Sequence, residues 1–428
     1  MRRLAKHAGK YLFLLLMLVC FGHILSTGTQ INGYGTPVIY YLDDIPYTLD
    51  TVMDMKKNDE QLDNYLPFTA VGSMDKQTFS NPDLNKTLEC QMIYIYGSSS
   101  LVCLSSGELM DDDLTGCILS SAAAWQLFGE TGIIGGEVIY NNRTYYVRGV
   151  YENETPGVIL PAMTVFAKEE ASAAAEDTSY TDIPEPGSDN MQEASFDKIL
   201  VKPSTNEESG NVRSEYIQAF ENRWGLGGGK TDCLIYQRLA SFFMMLIPAL
   251  IFIYVMLSGL QFIYSHRFKP FWMIAGTAGL IIMFAAYFLI CRTSPSIPPD
   301  LIPNRWSDFD FWGDLITTFK NSIQHILFLN KSEIELAYFK PLTSLIGYTI
   351  TGVILFFAAN SCFKVYDTQR FFLVMAGTSV TELIAVYLLQ SAELMMSTKQ
   401  MLLYLWPYLL IGKYIFQKNI SIKSSKSS

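Results

Sequence analysis

The residue best placed to do chemistry is a carboxylate inside an apolar run. Glu382 lies within Phe371–Ser391, close to Thr378, Ser379 and Thr381. A charged carboxylate at the centre of a bilayer is costly unless it is protonated or partnered. Glu382 therefore reads as an intramembrane proton or substrate site, or as a neutral acid hydrogen-bonded to its Ser and Thr neighbours. Lys413 is the only basic residue within an apolar span, and it lies too near that span's end to pair with Glu382 at mid-depth.

Cysteine chemistry comes next. Cys20, Cys291 and Cys362 lie in or beside apolar runs and read as small packing residues. Cys90, Cys103, Cys117 and Cys233 fall in a polar region, where four cysteines allow three pairings. The pairing favoured joins Cys103 to Cys117 and Cys90 to Cys233, with four buried thiols as the alternative. His7, His23, His266 and His325 are scattered, and none stands beside a cysteine or acid cluster at ligand spacing, which argues against a metal centre. Asp111-Asp112-Asp113 reads as a solvated acidic loop, with calcium as the minor alternative. Ser105 and Ser106 precede Gly107, but residues 28–237 hold no histidine to activate a serine. Gly227-Gly228-Gly229-Lys230-Thr231 lacks the spacer of a phosphate loop. No catalytic residue, cofactor or metal is expected.

The elements that must position these residues divide by charge and hydropathy. The chain has 428 residues, is 50% hydrophobic and carries a net charge of −10. Residues 28–237 hold 32 acidic against 12 basic residues, and the remainder holds 9 against 19. An acidic folded body on a basic, apolar base is the pattern of an exported domain on a membrane anchor. Without a basic patch interleaved with aromatics, nucleic-acid binding is not expected.

About 20 apolar residues cross a bilayer. Candidate spans are 11–27, 239–264, 271–291, 343–362, 371–391 and 401–416, the last short. Residues 1–10 form a basic cytoplasmic N-terminus, and 11–27 reads as a retained anchor, since no small-residue cleavage site ends its apolar core. Arg2, Arg3, Lys6 and Lys10, then His266-Arg267-Phe268-Lys269, then Lys364 and Arg370, and finally Lys413, Lys418, Lys423 and Lys426 share one side if the spans alternate. The expectation is an α-helical membrane protein with six transmembrane helices. Both termini are cytoplasmic, 417–428 is a cytoplasmic tail, and one α+β extracytoplasmic domain, 28–237, lies between spans one and two. Within it, 168–195 reads as a mobile acidic insertion rich in Ala and Ser. Residues 292–342 form a second outer loop, with an amphipathic helix at 311–329.

Inside the outer domain one stretch is specific. Ser120 or Ser121 caps a helix carrying Ala124, Leu127 and Phe128, and Gly129 closes it. Val138–Tyr140 and Tyr145–Val147 flank Asn141-Asn142, a hairpin signature, and Gly149-Val150-Tyr151 leads to Ile159-Leu160-Pro161. Lys198–Lys202 reads as a strand, Ser214–Trp224 as an amphipathic helix and Asp232–Tyr236 as a closing strand, while Tyr34–Asp54 reads as irregular.

This order resembles the extracytoplasmic core domain of MacB/FtsX-type ABC transporter permeases. The residues that carry it are Ile118-Leu119-Ser120, Leu127-Phe128-Gly129, Gly136, Asn142, Tyr146-Val147, Gly149-Val150 and Leu160-Pro161. The resemblance implies a membrane (permease-like) subunit that transmits motion to its outer domain, or extrudes a substrate from the outer side. As this chain has no Walker motif, it also implies a separate cytoplasmic ABC ATPase, and a homo- or hetero-dimer in the bilayer. Two features depart from the family: six spans where four are usual, and a Ser265–Pro270 loop too short for an ATPase-docking helix. The alternative is a non-transporting membrane-anchored adaptor or sensor whose outer domain binds an envelope protein or peptide.

Overall fold

The structure is a computed structural model. It describes the whole chain except residues 1, 43–46, 63–64, 104–105, 111–112, 167–194, 204–209, 227–228, 291–312, 314–316, 318–319, 321–332, 364–367, 393, 395–404 and 425–428. The chain folds as two compact units. One comprises 34–235 with 305–337, and the other 1–33, 236–304 and 338–428.

The chain opens with α1 (Arg2–Gly33) and then enters the first unit. That unit carries β1 (Val38–Tyr41), α2 (Leu49–Asp59), β2 (Phe68–Asn81), β3 (Lys86–Tyr96), β4 (Gly116–Ser120) and α3 (Ser121–Phe128). It continues with β5 (Glu137–Tyr140), β6 (Arg143–Tyr151), β7 (Gly157–Pro161), α4 (Ala162–Val165), β8 (Lys198–Val201), α5 (Gly210–Trp224) and β9 (Lys230–Asp232). Five helices follow: α6 (Leu234–Ser265), α7 (Pro270–Ile290), α8 (Glu333–Cys362), α9 (Thr368–Ser391) and α10 (Leu405–Ser424).

Six strands close on themselves in the order β2-β3-β7-β4-β6-β5, returning to β2 through the single pair Ser80–Ile139. β7 runs parallel to β3 and β6 parallel to β4, and the remaining pairs are antiparallel. From the first half of β2 an antiparallel arm, β8-β1-β9, extends outward. β2 serves both the ring and the arm because a bulge between Met74 and Gln77, with Lys76 at φ +55°, redirects it. The core lies between the sheet and its helices: Phe79 stacks on Tyr140 with ring centroids 4.8 Å apart, and Phe220 of α5 packs on Tyr40 and Phe68.

The 116–161 stretch forms as its residues dictate. The Ser120 hydroxyl accepts the Ala123 N–H at 3.1 Å and starts α3, and Gly129, at φ +84°, ends it. Asn141 and Asn142, at φ +46° and +56°, form the two-residue turn joining β5 to β6.

Several boundaries differ from the sequence reading, α10 among them, which runs Leu405–Ser424 where a span 401–416 and a tail 417–428 were expected. Tyr34–Asp54 is not irregular but carries β1 and the start of α2, whose Thr48 side chain caps it. The closing strand is Lys230–Asp232, and helix begins at Leu234 because the Asp232 carboxylate accepts the Leu234 N–H at 2.9 Å. α1 runs on to Gly33, beyond the expected end at 27, and α8 begins at Glu333, ahead of Thr343. Apart from Ser195, Gly313, Thr317 and Lys320, the 168–195 insertion and the 311–329 helix lie outside the described residues.

In the helical unit, packed helices run both antiparallel and parallel to one another. α1 packs antiparallel to α8: Tyr11 meets Phe363 at 5.5 Å and His23 stacks on Tyr348 at 4.7 Å. α7 packs antiparallel to both α6 (Gly259 against Leu280, Phe262 against Gly276) and α10 (Gly279 against Phe416, Tyr287 against Tyr408). α1 and α9 run parallel, Tyr11 facing Gly377 and Gly22 facing Leu389. Among the described residues five helices are long and apolar enough to cross a membrane: α1, α6, α7, α8 and α9. α10 buries Leu405, Trp406, Leu409, Leu410 and Phe416.

Candidate functional site

Glu382 lies on the buried stripe of α9 formed by Thr378, Thr381, Glu382, Ala385 and Leu389. This spacing puts all five on one helical face. The same helix meets α1 at Gly377 and Leu389, above and below Glu382. Its side chain is 3% exposed, and Oε1 has no hydrogen-bond partner among the described residues. Two of the hydroxyls that the sequence offered as partners are committed elsewhere. Thr378 donates to the Met375 carbonyl at 3.0 Å and Thr381 to the Gly377 carbonyl at 2.9 Å.

Lys413 is buried in α10, yet its ammonium is satisfied. It donates to the Asn360 carbonyl at 2.8 Å and the Phe363 carbonyl at 3.3 Å, and lies 5.5 Å from the Tyr254 ring centroid. Those carbonyls stand at the C-terminal end of α8, where the helix dipole favours a cation. Sequence reasoning gave Lys413 no partner; the structure gives it these two carbonyls.

The expected disulfides do not form. Cys90, Cys117 and Cys233 are buried free thiols, so neither Cys103–Cys117 nor Cys90–Cys233 is joined. For the second pair the reason is sheet order. Cys90 lies on β3 and Cys233 follows β9, four strand steps away through β2, β8 and β1. At nearly 5 Å per step that is about 19 Å across a flat sheet, well beyond disulfide reach. Burial pushes the Cys117 thiol up to about 12, which makes it an inert packing group.

Asp113, Ser106, Gly107 and Lys230 are held in local contacts, while Ser105, Gly227 and Gly228 lie outside the described residues. Asp113 pairs with Arg148 through Nε–Oδ2 at 2.6 Å and Nη2–Oδ1 at 3.1 Å, and Asp111 and Asp112 lie outside the described residues. The Ser106 hydroxyl accepts the Val150 N–H at 3.0 Å, and Gly107 beside it packs so closely on Arg148 and Gly149 that no side chain fits. Lys230 pairs with Glu221 at 2.6 Å.

One feature had no counterpart in the linear reading. A cleft of about 460 Å³ opens at the end of the sheet body, lined by Lys56, Tyr65, Pro67, Phe68, Thr69, Ser98, Ser100, Leu101, Met110 and Lys202. These residues come from three separated stretches of chain. Phe68 is level with Val201, which is level with Val38 and so with Asp232. The cleft therefore sits at the end of the sheet where the chain enters from α1 and leaves into α6.

No protein-family model matches the chain, and no curated protein matches it. Among solved structures it is similar to the periplasmic region of MacB from Actinobacillus actinomycetemcomitans, at 17% identity and TM-score 0.33, covering 47% of this chain and 92% of that one. It is also similar to the extracellular domain of the noncanonic ABC-type transporter YknZ from Gram-positive bacteria, at 13% identity and TM-score 0.28, covering 46% of this chain and 98% of that one.

Proposed function

We propose that this chain is the membrane (permease-like) subunit of an ABC transporter or mechanotransmission complex. Its sheet body is extracytoplasmic, and the ATP-hydrolysing subunit is a separate cytoplasmic chain. The carrying observation is the β4-α3-β5-β6-β7 order over 116–161, with the motif residues at the caps and turns that need them. Six spans with both termini in the cytoplasm agree with the helix directions. α1 and α9 run parallel, as two odd-numbered spans must, and α10 runs antiparallel to α7. α10 buries Leu405, Trp406, Leu409, Leu410 and Phe416, which lets it cross with lower hydropathy.

Motion has a short route into the sheet body. β1 begins at Val38, shortly after α1 ends at Gly33, and β9 ends at Asp232, two residues before α6. β1 and β9 pair directly, Val38 opposite Asp232. The Asp232 carboxylate also binds Arg213 of α5 at 2.7 Å. A shift of either helix thus reaches two hydrogen-bonded strands and the helix that covers them.

One observation favours the adaptor reading instead. α6 ends at Ser265 and α7 begins at Pro270, and the turn between them is closed by Lys269 N–H donating to the His266 carbonyl at 2.9 Å. It has no room for a docking helix. Affinity purification of the full chain from mild detergent separates the two readings. Recovery of an ABC ATPase in stoichiometric amount is expected. Recovery of envelope proteins alone, with no ATPase, rejects coupling and supports the adaptor.

A further inference from the structure

We propose that Glu382 and Trp406 together form a proton-binding site where α9, α10 and α1 meet. The Glu382 carboxyl takes up and releases one proton. The Trp406 indole N–H is the positioning group that bonds the carboxylate once the proton has left for water. The inference stands apart from ATPase coupling, because it concerns the helical unit of this chain alone.

Both groups are buried and unmatched, and their needs are opposite. Trp406 is 1% exposed, and its Nε1, like Glu382 Oε1, has no hydrogen-bond partner among the described residues. An indole N–H can only donate, and an ionised carboxylate can only accept. Buried polar groups are rarely left without a partner, so two of complementary kind in one bundle call for a common explanation.

Helix packing brings them to one place. α1 opposes α6, with Gly28 against Met244 and the Asn32 amide donating to the Ser241 hydroxyl at 3.5 Å. α6 opposes α7, α7 opposes α10, and α9 follows α1, so α9 and α10 are antiparallel. Phe371 of α9 stacks on Tyr414 of α10 with ring centroids 4.4 Å apart. Glu382 stands about three turns beyond Phe371, and Leu389 about two turns beyond Glu382, so the three share one face, turned to α10 and to Gly22 of α1. From the Phe371–Tyr414 contact, Glu382 lies about 16 Å along α9 and Trp406 about 12 Å along α10 in the same direction. Helical side chains lean towards their own N-terminus. Glu382 therefore leans back towards that contact and Trp406 away from it, which closes the difference. α8 gives the same level independently. Trp406 and Tyr11 pack on one ring, Phe363, at 5.7 and 5.5 Å, and Tyr11 lies against Gly377, about one and a half turns before Glu382.

The other groups that titrate on these helices are engaged elsewhere or stand at other levels. On α1 Lys10 and Tyr11 lie nearer the start, Cys20 lies beside Gly352, and His23 stacks on Tyr348. Between Tyr11 and Gly22 the buried residues of α1 are Leu14, Met17, Leu18 and Phe21, all apolar. On α10 Tyr408 packs on Tyr287, Tyr414 on Phe371, and Lys413 on carbonyls of α8. On α9 Arg370 and Tyr387 are exposed. An ionised carboxylate in such surroundings is costly without a partner. A charge-assisted bond from Trp406 Nε1, direct or through one water, supplies that partner. Proton occupancy thus sets whether this bond ties α9 to α10.

The test uses the full chain in phosphatidylcholine nanodiscs, with its tryptophan nitrogens isotopically labelled for magnetic resonance. The Trp406 indole N–H peak is assigned as the one missing from Trp406→Phe and is followed against pH. In wild type it is expected to move downfield in a single step as pH rises, because the N–H gains a charged acceptor. In Glu382→Gln, where the acceptor stays neutral, the step is expected to vanish. If Glu382→Gln does not fold, Glu382→Asp, which sets the acid back by one methylene, is expected to change the midpoint or the size of the step. Three results overturn the proposal: a wild-type peak that does not move with pH, the same step in Glu382→Gln, or a step of unchanged midpoint and size in Glu382→Asp. The last two would assign the titration to another group, such as Tyr408 or Lys413.

Discussion

The sheet body and the helical unit both bury ionisable side chains, and the two dispose of them differently. In the sheet body Asp59 is fully buried and both its oxygens are used: Oδ1 binds Arg223 and Oδ2 accepts the Leu66 N–H at 3.4 Å. In the helical unit Lys413 is satisfied by backbone carbonyls alone, and Glu382 keeps an oxygen with no partner among the described residues. A sheet with covering helices offers charged partners from several elements. A bundle of apolar helices offers mainly the carbonyls at its helix ends. A buried acid placed mid-helix, away from those ends, is therefore the group left unmatched, and a buried polar group left unmatched calls for an explanation.

The largest effect should come from breaking the paired acid. Asp59→Ala removes one partner of a buried ion pair and leaves Arg223, with its side chain 23% exposed, without its carboxylate. A loss of about 3 kcal/mol is expected, at the low end for such pairs because Arg223 is not fully buried. Urea unfolding of the full chain followed by near-ultraviolet circular dichroism measures it. A loss under about 0.5 kcal/mol would mean that the pair does not tie α2 to α5. Lys413→Leu should cost less, about 2 kcal/mol, since it removes charge-assisted bonds to two carbonyls while filling the space with an apolar group. Thermal unfolding in detergent reads it, and an unchanged melting temperature removes Lys413 as the cap of α8.

What the sequence disclosed follows the same division between local and distant causes. The 117–161 stretch was legible turn by turn because a serine cap, a closing glycine and an Asn-Asn turn act within a few residues. β2 was not, because its bulge at Met74–Gln77 breaks the alternation that marks a strand. β1 was hidden between Pro37 and Pro46, which read as breakers though they flank the strand. The Cys90–Cys233 pairing failed because strand order around a sheet is a long-range property. Glu382 was legible as an acid in an apolar run, but its isolation was not, since that depends on Thr378 and Thr381 bonding back to their own helix. The lysine-lined cleft left no linear signal, being assembled from residues around 56–69, 98–110 and 202.

Glu382→Gln sharpens the contrast from the other side. The amide is neutral and nearly the same shape, and Oε1 has no bond to lose, so stability should change by less than about 1 kcal/mol or rise. If transport or partner binding depends on pH, the variant should flatten that dependence. An unchanged pH profile would make Glu382 a packing residue and end its reading as a proton site.

The smallest effect belongs to the exposed pair, Asp113 with Arg148. The hydrogen bond from Arg148 holds the Asp113 carboxyl below its ordinary value of 3.8, against a smaller opposing effect of burial. A carboxylate depressed in the folded state binds its proton more readily when unfolded. Its contribution is therefore complete at neutral pH, and it is lost as pH falls below 3.8 towards the folded value. Arg148 is 41% exposed at its side chain, so solvent screens the pair and the contribution should stay under about 1 kcal/mol. Melting curves at pH 6 and pH 3 measure it through the difference between wild type and Arg148→Gln. The difference should be largest at pH 6 and smaller at pH 3, since the contribution begins to be lost once the pH falls below 3.8. A difference of the same size at both pH values would mean that Arg148 acts through packing on β6 and not through its partner's charge.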